Sequence, residues 1–172
     1  TKNLSNDIIL INVSIQVNNY CTNIYRSLLI DPEEKLVNEY KGLQAIHEFL
    51  IKSISIKKPI CQVIKETLEF AKQSYPELLN RLPSSFGFGS GLEFRENLLQ
   101  LNLKNERMLK VGFCLTIITS IEGLQINNYS KSSSMHLSDT VVVLKNGAVV
   151  LTGKVSREFS EVGYSLFNQN KT

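Results

Sequence analysis

The ten residues GFGSGLEFRE, positions 87–96, place three glycines at every second position and then a run of charged and apolar side chains. Glycine has no Cβ, so this spacing is typical of a strand or loop whose backbone passes close to another backbone. Phosphate binding is the alternative, but the spacing is G-x-G-x-G, and no Lys-Ser/Thr pair follows. We therefore favour close backbone packing, with residues 92–96 continuing as a strand.

On the N-terminal side of this stretch the pattern predicts a β-hairpin. Residues 7–17 are rich in β-branched side chains that alternate with polar ones, as expected of a strand with one apolar face. Asn18-Asn19 indicates a tight turn, because Asn tolerates the left-handed backbone conformation. Residues 20–29 form the returning strand.

A helical region separates the hairpin from the glycines. Asp31-Pro32 predicts a helix start, with Asp31 as N-cap and Pro32 at the first helical position. Apolar positions then recur at three- and four-residue steps; they are Leu36, Tyr40, Leu43, His47, Leu50 and Ile54. A second helix is predicted over 60–73, with Val63, Ile64, Leu68 and Ala71 facing inward, and a short third helix over 76–82.

After the glycines the pattern becomes strand-like again. Residues 111–119, 136–144 and 147–152 are β-rich, and Asn146-Gly147 is a strong hairpin signal. Residues 130–134 are predicted to be a polar loop, and the tail from Arg157 has no assignment. Helices enclosed between blocks of strands predict an α+β fold, with the helices on one face of a mainly antiparallel sheet.

Composition bounds the function. The chain has 172 residues and an apolar fraction of 42%, values that suit one folded lobe. Its formal charge of +3 is too small to indicate nucleic-acid binding. Two small basic clusters, Lys57-Lys58 and the group Lys104, Arg107 and Lys110, are interpreted as solvated surface. The sequence has no apolar run long enough to span a bilayer and no signal peptide.

The three cysteines, Cys21, Cys61 and Cys114, are far apart and show no C-x-x-C spacing. This argues against a zinc site or a disulfide framework and favours reduced, mostly buried thiols of an intracellular protein. The chain begins at Thr1, so we expect a fragment of a longer protein in which residues 1–172 form a single lobe.

The order of these motifs resembles the catalytic half of the pita-bread fold, which methionine aminopeptidases, prolidases and creatinases share. The resemblance covers roughly residues 8–152 and includes the hairpin, the helices, the glycine stretch, a G-x-x-x-T-I strand and a D-T-V-V-V hairpin. More closely, three segments resemble the large-subunit family of the FACT histone chaperone, within its aminopeptidase-like region. They are YCTNIYRSLLIDP, PELLNRLPSSFGFGSGLEFRE and LSDTVVVLKNGAVVLT.

The peptidase resemblance implies a site for two divalent metals, held by carboxylates and one histidine, that activates a bridging water. The positions in this sequence that match those ligands are Asn12, Asn23, Phe88, Ile118 and Ser138. Asn oxygens are weak neutral ligands, and Phe and Ile cannot coordinate a metal. We therefore expect no catalytic residue, no metal and no cofactor, with Phe88 filling the volume of the imidazole and metal.

Other residues are candidates for lining the former cleft. A second histidine of the peptidases matches Arg95, and His136 shares a strand face with Ser138. The candidate cleft or peptide-binding residues are Arg26, Glu93, Arg95, Glu96 and His136. Salt-bridged structural charges are the alternative for Glu93, Arg95 and Glu96, and His47 is expected to be a packed core or boundary residue.

The FACT resemblance implies a non-catalytic module that binds core histones or nucleosomes in the nucleus, on chromosomes, during transcription, replication and repair. It also implies a smaller HMG-type subunit as partner of other parts of the protein, replication proteins as further partners, and no membrane. One alternative is an active metallo-aminopeptidase or prolidase-like enzyme with unconventional ligands. Another is a structural lobe that binds nothing by itself.

Overall fold

The computed structural model describes residues 7–124, 126 and 133–165. Its first two strands, β1 (Asp7–Val17) and β2 (Tyr20–Ile30), form the expected antiparallel hairpin. Asn18 and Asn19 both have positive φ, 48° and 66°, as a two-residue hairpin turn with this twist requires. The turn prediction is confirmed.

Helices α1 (Glu34–Ser53) and α2 (Ile60–Ser74) follow the hairpin. The predicted apolar stripe of α1 is buried along its whole length, as are Val63, Ile64 and Ala71 of α2, while Leu68 is partly buried. Residues Leu79–Arg81 form one 3₁₀ turn where a short third helix was predicted.

Five further strands and one short helix complete the fold. They are β3 (Gly87–Gly89), β4 (Cys114–Leu124), β5 (Ser133–Leu144), β6 (Gly147–Val150), α3 (Phe159–Val162) and β7 (Gly163–Tyr164). The strand order is β1-β2-β5-β4-β3, with β6 paired to β5 and β7 paired to β2. Of these pairings, β2 with β7 is parallel and the others are antiparallel. The predicted fold class is therefore confirmed.

The helices pack on one face of this sheet and create two apolar clusters. In the first, Leu50 and Ile64 of the two helices pack against Leu115 and Val141 of the central strands. In the second, residues of α1 pack against β2, β4 and β5. The opposite face of β4 and β5 includes Thr116, Ile118 and Ser138 and carries none of the three helices of the described residues. It forms the floor of the site described below.

Four sequence expectations need correction. Helix α1 begins at Glu34 with Glu33 as N-cap. Asp31 instead takes a left-handed φ of 43°, unlike the extended conformation typical of an N-cap. Residues 92–96 are a loop and not a strand, since the chain turns after Gly89 and Glu96 bridges back to it. Strand β4 continues to Leu124, well beyond the predicted end at 119. The cysteines are free, as expected, but each is only half-buried.

The polar loop at 130–134 and the tail from Arg157 were predicted only in part. In the expected polar loop, Ser133 and Ser134 belong to β5, and residues 130–132 lie outside the described residues. The tail, which had no sequence assignment, forms α3 and β7 and pairs Gly163 with Leu29 of β2. The C-terminal part of the described chain is thus attached to the first hairpin.

Side-chain hydroxyls join β2 to β5. The ladder places Tyr25 opposite Ser138, and a hydroxyl replaces the regular backbone pairing on each side of that pair. Ser27 Oγ donates to the His136 carbonyl and accepts from its N–H. Thr140 Oγ1 does the same for the carbonyl and N–H of Asn23. We call this junction the β2–β5 seam.

Candidate functional site

Strand register brings the five predicted ligand positions onto one patch of the open sheet face. Ile118 pairs with Ser138, Ser138 with Tyr25, and Tyr25 with Asn12, which makes one row across four strands. Directly paired side chains lie on the same side of a sheet, so this row is continuous on the open face.

A second, adjacent row holds the other two positions. Phe88 pairs with Thr116, Thr116 pairs with Thr140, and Thr140 is hydrogen-bonded to the Asn23 backbone. Asn23 also donates through its Nδ2 to Thr116 Oγ1 at 3.4 Å. The fold therefore brings all five positions into one patch of the sheet, although they lie on five different strands.

The oxygens of this patch are neutral. Asn23 and Ser138 are both fully buried, and within the described residues Asn23 Oδ1 and Ser138 Oγ have no hydrogen-bond partner. Thr116 Oγ1 donates to Ser90 Oγ at 3.1 Å, which extends the neutral set. The described part of the chain contains no group of three or more His, Cys, Asp or Glu side chains that could hold a metal ion.

Phe88 occupies the glycine strand and is 7% exposed. The guanidinium of Arg95 lies 5.1 Å from the centre of its ring, and the ring of Phe94 lies 6.3 Å from it. A cation over an aromatic face at this distance is attracted by the ring quadrupole. Phe88, Phe94 and Arg95 thus form one group of contacting side chains at the edge of the patch, with the two rings tilted by 37°.

The glycines that flank Phe88 explain why β3 fits here. A Cβ on Gly87 would lie 2.0 Å from the Thr116 carbonyl oxygen, and one on Gly89 would lie 2.7 Å from Leu99 Cβ. Both positions therefore need glycine for close packing, which confirms the backbone interpretation of the motif. A Cβ on Gly91 would meet nothing closer than 3.7 Å, so that residue is not constrained in this way.

His136 belongs to a third row on the same open face, because it pairs with Ser120 and is bonded to Ser27. Its Nε2 lies 3.0 Å from Ser134 Oγ, and burial lowers its pKa below the ordinary value. A groove of about 250 Å³ opens here, and its lining includes His136, Tyr25, Asn12 and Leu10.

Glu93, Arg95 and Glu96 lie on the loop that follows β3. Glu93 and Arg95 are exposed and Glu96 is half-buried, and no ion pair links any of them to a described residue. The loop is fixed by its backbone, since the Glu96 N–H donates to the Gly89 carbonyl and the Cys21 N–H to the Gly91 carbonyl. The alternative of salt-bridged structural charges is therefore not seen among the described residues, and the cleft role of these three residues stays a prediction.

Arg26, another candidate cleft residue, is among the residues that line the groove beside His136, but its guanidinium lies in a buried hydrogen-bond network. It passes through the β2–β5 seam and donates to Asp139 Oδ1 at 2.9 Å, and to the carbonyls of Ser138, Val155 and Ser156. Asp139 and Arg26 alternate with Ser138 and Tyr25 along their strands, so they belong to the helix side of the sheet.

Asp139 is the centre of a buried network that the sequence analysis missed. Its Oδ1 accepts from Arg26 and from Thr152 Oγ1 at 2.6 Å. Its Oδ2 accepts from His47 Nε2 at 3.0 Å and from Arg157 at 2.7 Å. Burial alone would raise the pKa of Asp139, but these hydrogen bonds and neighbouring charges outweigh burial and hold that pKa below its ordinary value.

His47 connects this carboxylate to the helix layer. Its Nδ1 lies 2.9 Å from Thr119 Oγ1, and burial lowers its pKa despite the hydrogen bond to Asp139. In the tautomer that carries the Nε2 proton, the imidazole donates to Asp139 and its Nδ1 accepts from Thr119. A hydroxyl, an imidazole and a carboxylate lie in line, but all three residues are 0% exposed, so the arrangement stabilises the fold and cannot meet a substrate.

Comparison with known proteins places this geometry among a family of hydrolases and their relatives. The model of metallopeptidase family M24 matches residues 1–145. An X-Pro aminopeptidase from Thermotoga maritima superposes with a TM-score of 0.77 at 19% identity, over 94% of this chain and 42% of that one. At that identity the likeness concerns the fold alone.

Two further relatives are more similar in sequence. The FACT complex subunit SPT16 of Zea mays is 34% identical over 169 residues, which is 96% of this chain and 16% of that protein. The N-terminal domain of FACT complex subunit SPT16 from chickpea superposes with a TM-score of 0.87 at 28% identity, over 94% of this chain and 38% of that one. The chain thus spans about a sixth of the length of the maize relative.

Proposed function

The chain belongs to metallopeptidase family M24, and from that premise we propose that it is a non-catalytic, histone-binding lobe of a FACT histone chaperone. Two observations together support this proposal. The chain is similar to SPT16 subunits along nearly its whole length, and the patch matched to the peptidase ligands presents neutral oxygens and apolar side chains.

The residues at the patch do not suit the metal centre that the family implies. Two divalent cations need carboxylates to offset their charge and to bridge them. Here Asn12, Asn23 and Ser138 offer neutral oxygens, and Phe88 and Ile118 offer none. The buried and unpartnered Oδ1 of Asn23 and Oγ of Ser138 match a neutral hydrogen-bond donor better than a dication.

The edge of the patch has features that suit an extended basic peptide. Leu92, Phe94 and Tyr20 are exposed apolar residues, at 66%, 49% and 58%. A groove of about 280 Å³ lies beside them, and its lining includes Leu92, Phe94 and Cys21. Glu93 lies between the two apolar side chains of the loop, so a cationic residue next to an apolar anchor of a histone segment would find both partners.

In this role the whole protein would act in the nucleus, on chromosomes, and would reorganise nucleosomes during transcription, replication and repair. A smaller HMG-type subunit would bind other parts of the protein, and replication proteins are further candidate partners. No helix in the described ranges is long and apolar enough to cross a membrane.

The binding proposal is tested by titrating purified core histones onto the 172-residue chain. The double variant Glu93→Lys/Phe94→Ala should raise the dissociation constant about tenfold, because it removes one apolar anchor and reverses one charge at the edge of the patch. The matched control is Glu77→Lys/Leu103→Ala, which alters an exposed glutamate and an exposed leucine elsewhere. Equal losses in both variants would rule out this edge as the contact surface.

The same titration separates the structural-lobe alternative, in which the chain alone retains no histones. The enzyme alternative is tested by measuring transition metals in the purified chain and its turnover of Met- and Xaa-Pro-peptides. We expect neither bound metal in stoichiometric amount nor turnover above buffer. Stoichiometric metal together with metal-dependent cleavage would overturn the non-catalytic assignment.

A further inference from the structure

The two basic clusters that the sequence separates lie together at one end of the molecule. Pro59 forms an antiparallel bridge with Met108, and the N–H groups of Ile60 and Cys61 donate to the carbonyls of Arg107 and Asn105. The segment 103–111 is therefore attached to the start of α2. Lys57 and Lys58 precede the bridge on one side, and Lys110 follows it on the other.

The bridge brings two segments that each carry exposed cations to the same place. Lys57 and Lys110 each lie two residues from the bridge along their own segments, and both are exposed. Like charges held in one region repel each other, and an external anion would offset that repulsion.

A further lysine extends the cluster. The Gly112 N–H donates to the Val143 carbonyl, and the Val143 N–H donates to the Phe113 carbonyl. These bonds hold the end of β5 against the segment that carries Lys110, so Lys145 in the β5–β6 turn lies at the same end of the sheet. We define the basic pole as Lys57, Lys104, Arg107, Lys110 and Lys145.

The cations of the basic pole are free to bind an external anion. All five are exposed, and none of them forms an ion pair with a described residue. Two carboxylates lie nearby: Glu66 is already paired with Lys58, and Glu106 is exposed. The local excess of positive charge is therefore larger than the formal charge of +3 for the whole chain suggests.

The basic pole is also separate from the patch at Ser138 and Ile118, which lies in the middle of β4 and β5. We propose that the basic pole binds the phosphate backbone of double-stranded DNA. Exposed, spread cations without a pocket match a polyanion that carries a charge about every 1.7 Å along its axis, so no fixed spacing is needed. The geometry above supports an anion-binding surface, whereas the choice of DNA as the anion rests on the proposed chromatin function.

The test is the binding of a fluorescent 30-base-pair duplex to the 172-residue chain at several salt concentrations. The variant Lys57→Glu/Lys110→Glu should raise the dissociation constant at least tenfold. It should also reduce the slope of log Kd against log salt, by about 0.9 for each phosphate that the variant no longer neutralises. The matched control Lys35→Glu/Lys72→Glu has the same change in net charge at two exposed lysines elsewhere and should change the constant less than threefold.

Three results would overturn the proposal: no binding of the duplex at low salt, equal losses in the two variants, or tighter binding of a polyglutamate peptide than of the duplex. The last would assign the basic pole to an acidic protein segment. Histone binding of Lys57→Glu/Lys110→Glu is measured in parallel and should stay unchanged. Loss of duplex binding with intact histone binding in this variant supports the basic pole as a separate DNA site. The reverse pattern, loss of histone binding with intact duplex binding, is expected only of Glu93→Lys/Phe94→Ala.

Discussion

At the scale of single residues, Asp139 is a side chain on which several separate elements depend. Its carboxylate connects α1 through His47, β2 through Arg26, and the segment after β6 through Thr152 and Arg157. Four donors satisfy both oxygens, which is the condition under which a buried carboxylate is tolerated.

Replacing Asp139 with Asn should lower the free energy of unfolding by about 3–5 kcal/mol, because Arg26, only 5% exposed, would be left as a buried charge without its partner. Urea denaturation followed by circular dichroism measures this. Glu106→Gln, which removes an exposed carboxylate, should stay within about 0.5 kcal/mol of the parent. A loss below 1 kcal/mol in Asp139→Asn would mean that the network contributes little.

His47 makes the stability depend on pH. Its pKa is lowered in the folded chain by burial, so below about pH 6.5, the ordinary histidine pKa, the unfolded chain binds more protons than the folded one. Stability should therefore fall as the pH is lowered from 7.5 to 5. The groups that face the imidazole are Asp139, Arg26, Arg157 and Thr119.

Denaturation of His47→Gln at both pH values should show a smaller loss between them than the parent. His136 has a pKa lowered in the same direction, so His136→Gln serves as the comparison and should remove only its own part. The lowered pKa of Asp139 acts at a lower pH, below the ordinary aspartate range, and does not enter this window. A parent whose stability is constant from pH 7.5 to 5 would contradict the prediction.

The core position of His47 was predictable from the sequence, but its hydrogen-bond partner Asp139 was not. The apolar stripe of α1 predicts a core position for His47, since stripe residues face the sheet. Nothing in the sequence pairs Arg26 with Asp139, which lie 113 positions apart. Arg26 was named only as a candidate cleft residue, and the tertiary structure shows that its guanidinium also binds Asp139 and the Val155 carbonyl.

At the scale of elements, β3 depends on glycine where β4 passes it. Gly87 has a φ of +132° as well as the close approach to the Thr116 carbonyl. Gly87→Ala should therefore lower the unfolding free energy by about 3 kcal/mol or more, since backbone strain and a clash add. Thermal unfolding and soluble yield report the effect.

Gly112 is the matched control for that substitution. Its φ is +89°, but no atom lies within 4 Å of the position of its Cβ. Gly112→Ala should cost only the conformational strain, about 1–2 kcal/mol. Equal effects at the two positions would show that the clash with β4 is relieved by a small backbone shift.

The elements themselves were largely predictable where local chemistry decides them. Asn18-Asn19 and Asn146-Gly147 both form the predicted hairpin turns. The start of α1 was misplaced by two residues because the chain bends at Asp31, which has a φ of 43°, before the helix begins. The loop 90–96 was missed because its shape is set by backbone bonds to Gly89 and Cys21, which are contacts between distant segments.

At the scale of the whole molecule, β1 leaves a long apolar surface exposed. Ile9, Ile11, Val13, Ile15 and Val17 alternate along one side of the strand and are 40–63% exposed. Strand β1 is also at the end of the sheet order, and it carries a single charge, Asp7, in its sequence. Native edge strands are usually protected by charges, bulges or proline.

The isolated chain should therefore self-associate as its concentration rises. Sedimentation velocity between about 5 and 200 µM should show an increasing sedimentation coefficient, and Val13→Lys/Ile15→Lys should suppress it by placing charges on the edge. Lys35→Glu/Lys72→Glu, which changes charge on α1 and α2 and not on β1, should leave the association unaltered. A chain that remains monomeric over this range would contradict the prediction.

The order of motifs along the chain predicted the architecture, because each motif has its own local signature and the family keeps them in one sequence. The five positions matched to the peptidase ligands lie in two adjacent rows of the sheet. The basic pole was not predicted, because it depends on the bridge between Pro59 and Met108. That bridge joins segments that have no shared sequence pattern.

The β2–β5 seam has a consequence for how the native chain opens. Thr140 and Ser27 hydroxyls hold the first hairpin to the remainder of the sheet, and such side-chain bonds yield more easily than a regular backbone ladder. The amide protons of β1 and β2 should therefore exchange with deuterium sooner than those of β4 and β5, as a separate cooperative unit. Thr140→Val should accelerate exchange in the hairpin and leave the protection of β4 unchanged, whereas simultaneous exchange of all four strands would show that the sheet opens as one body.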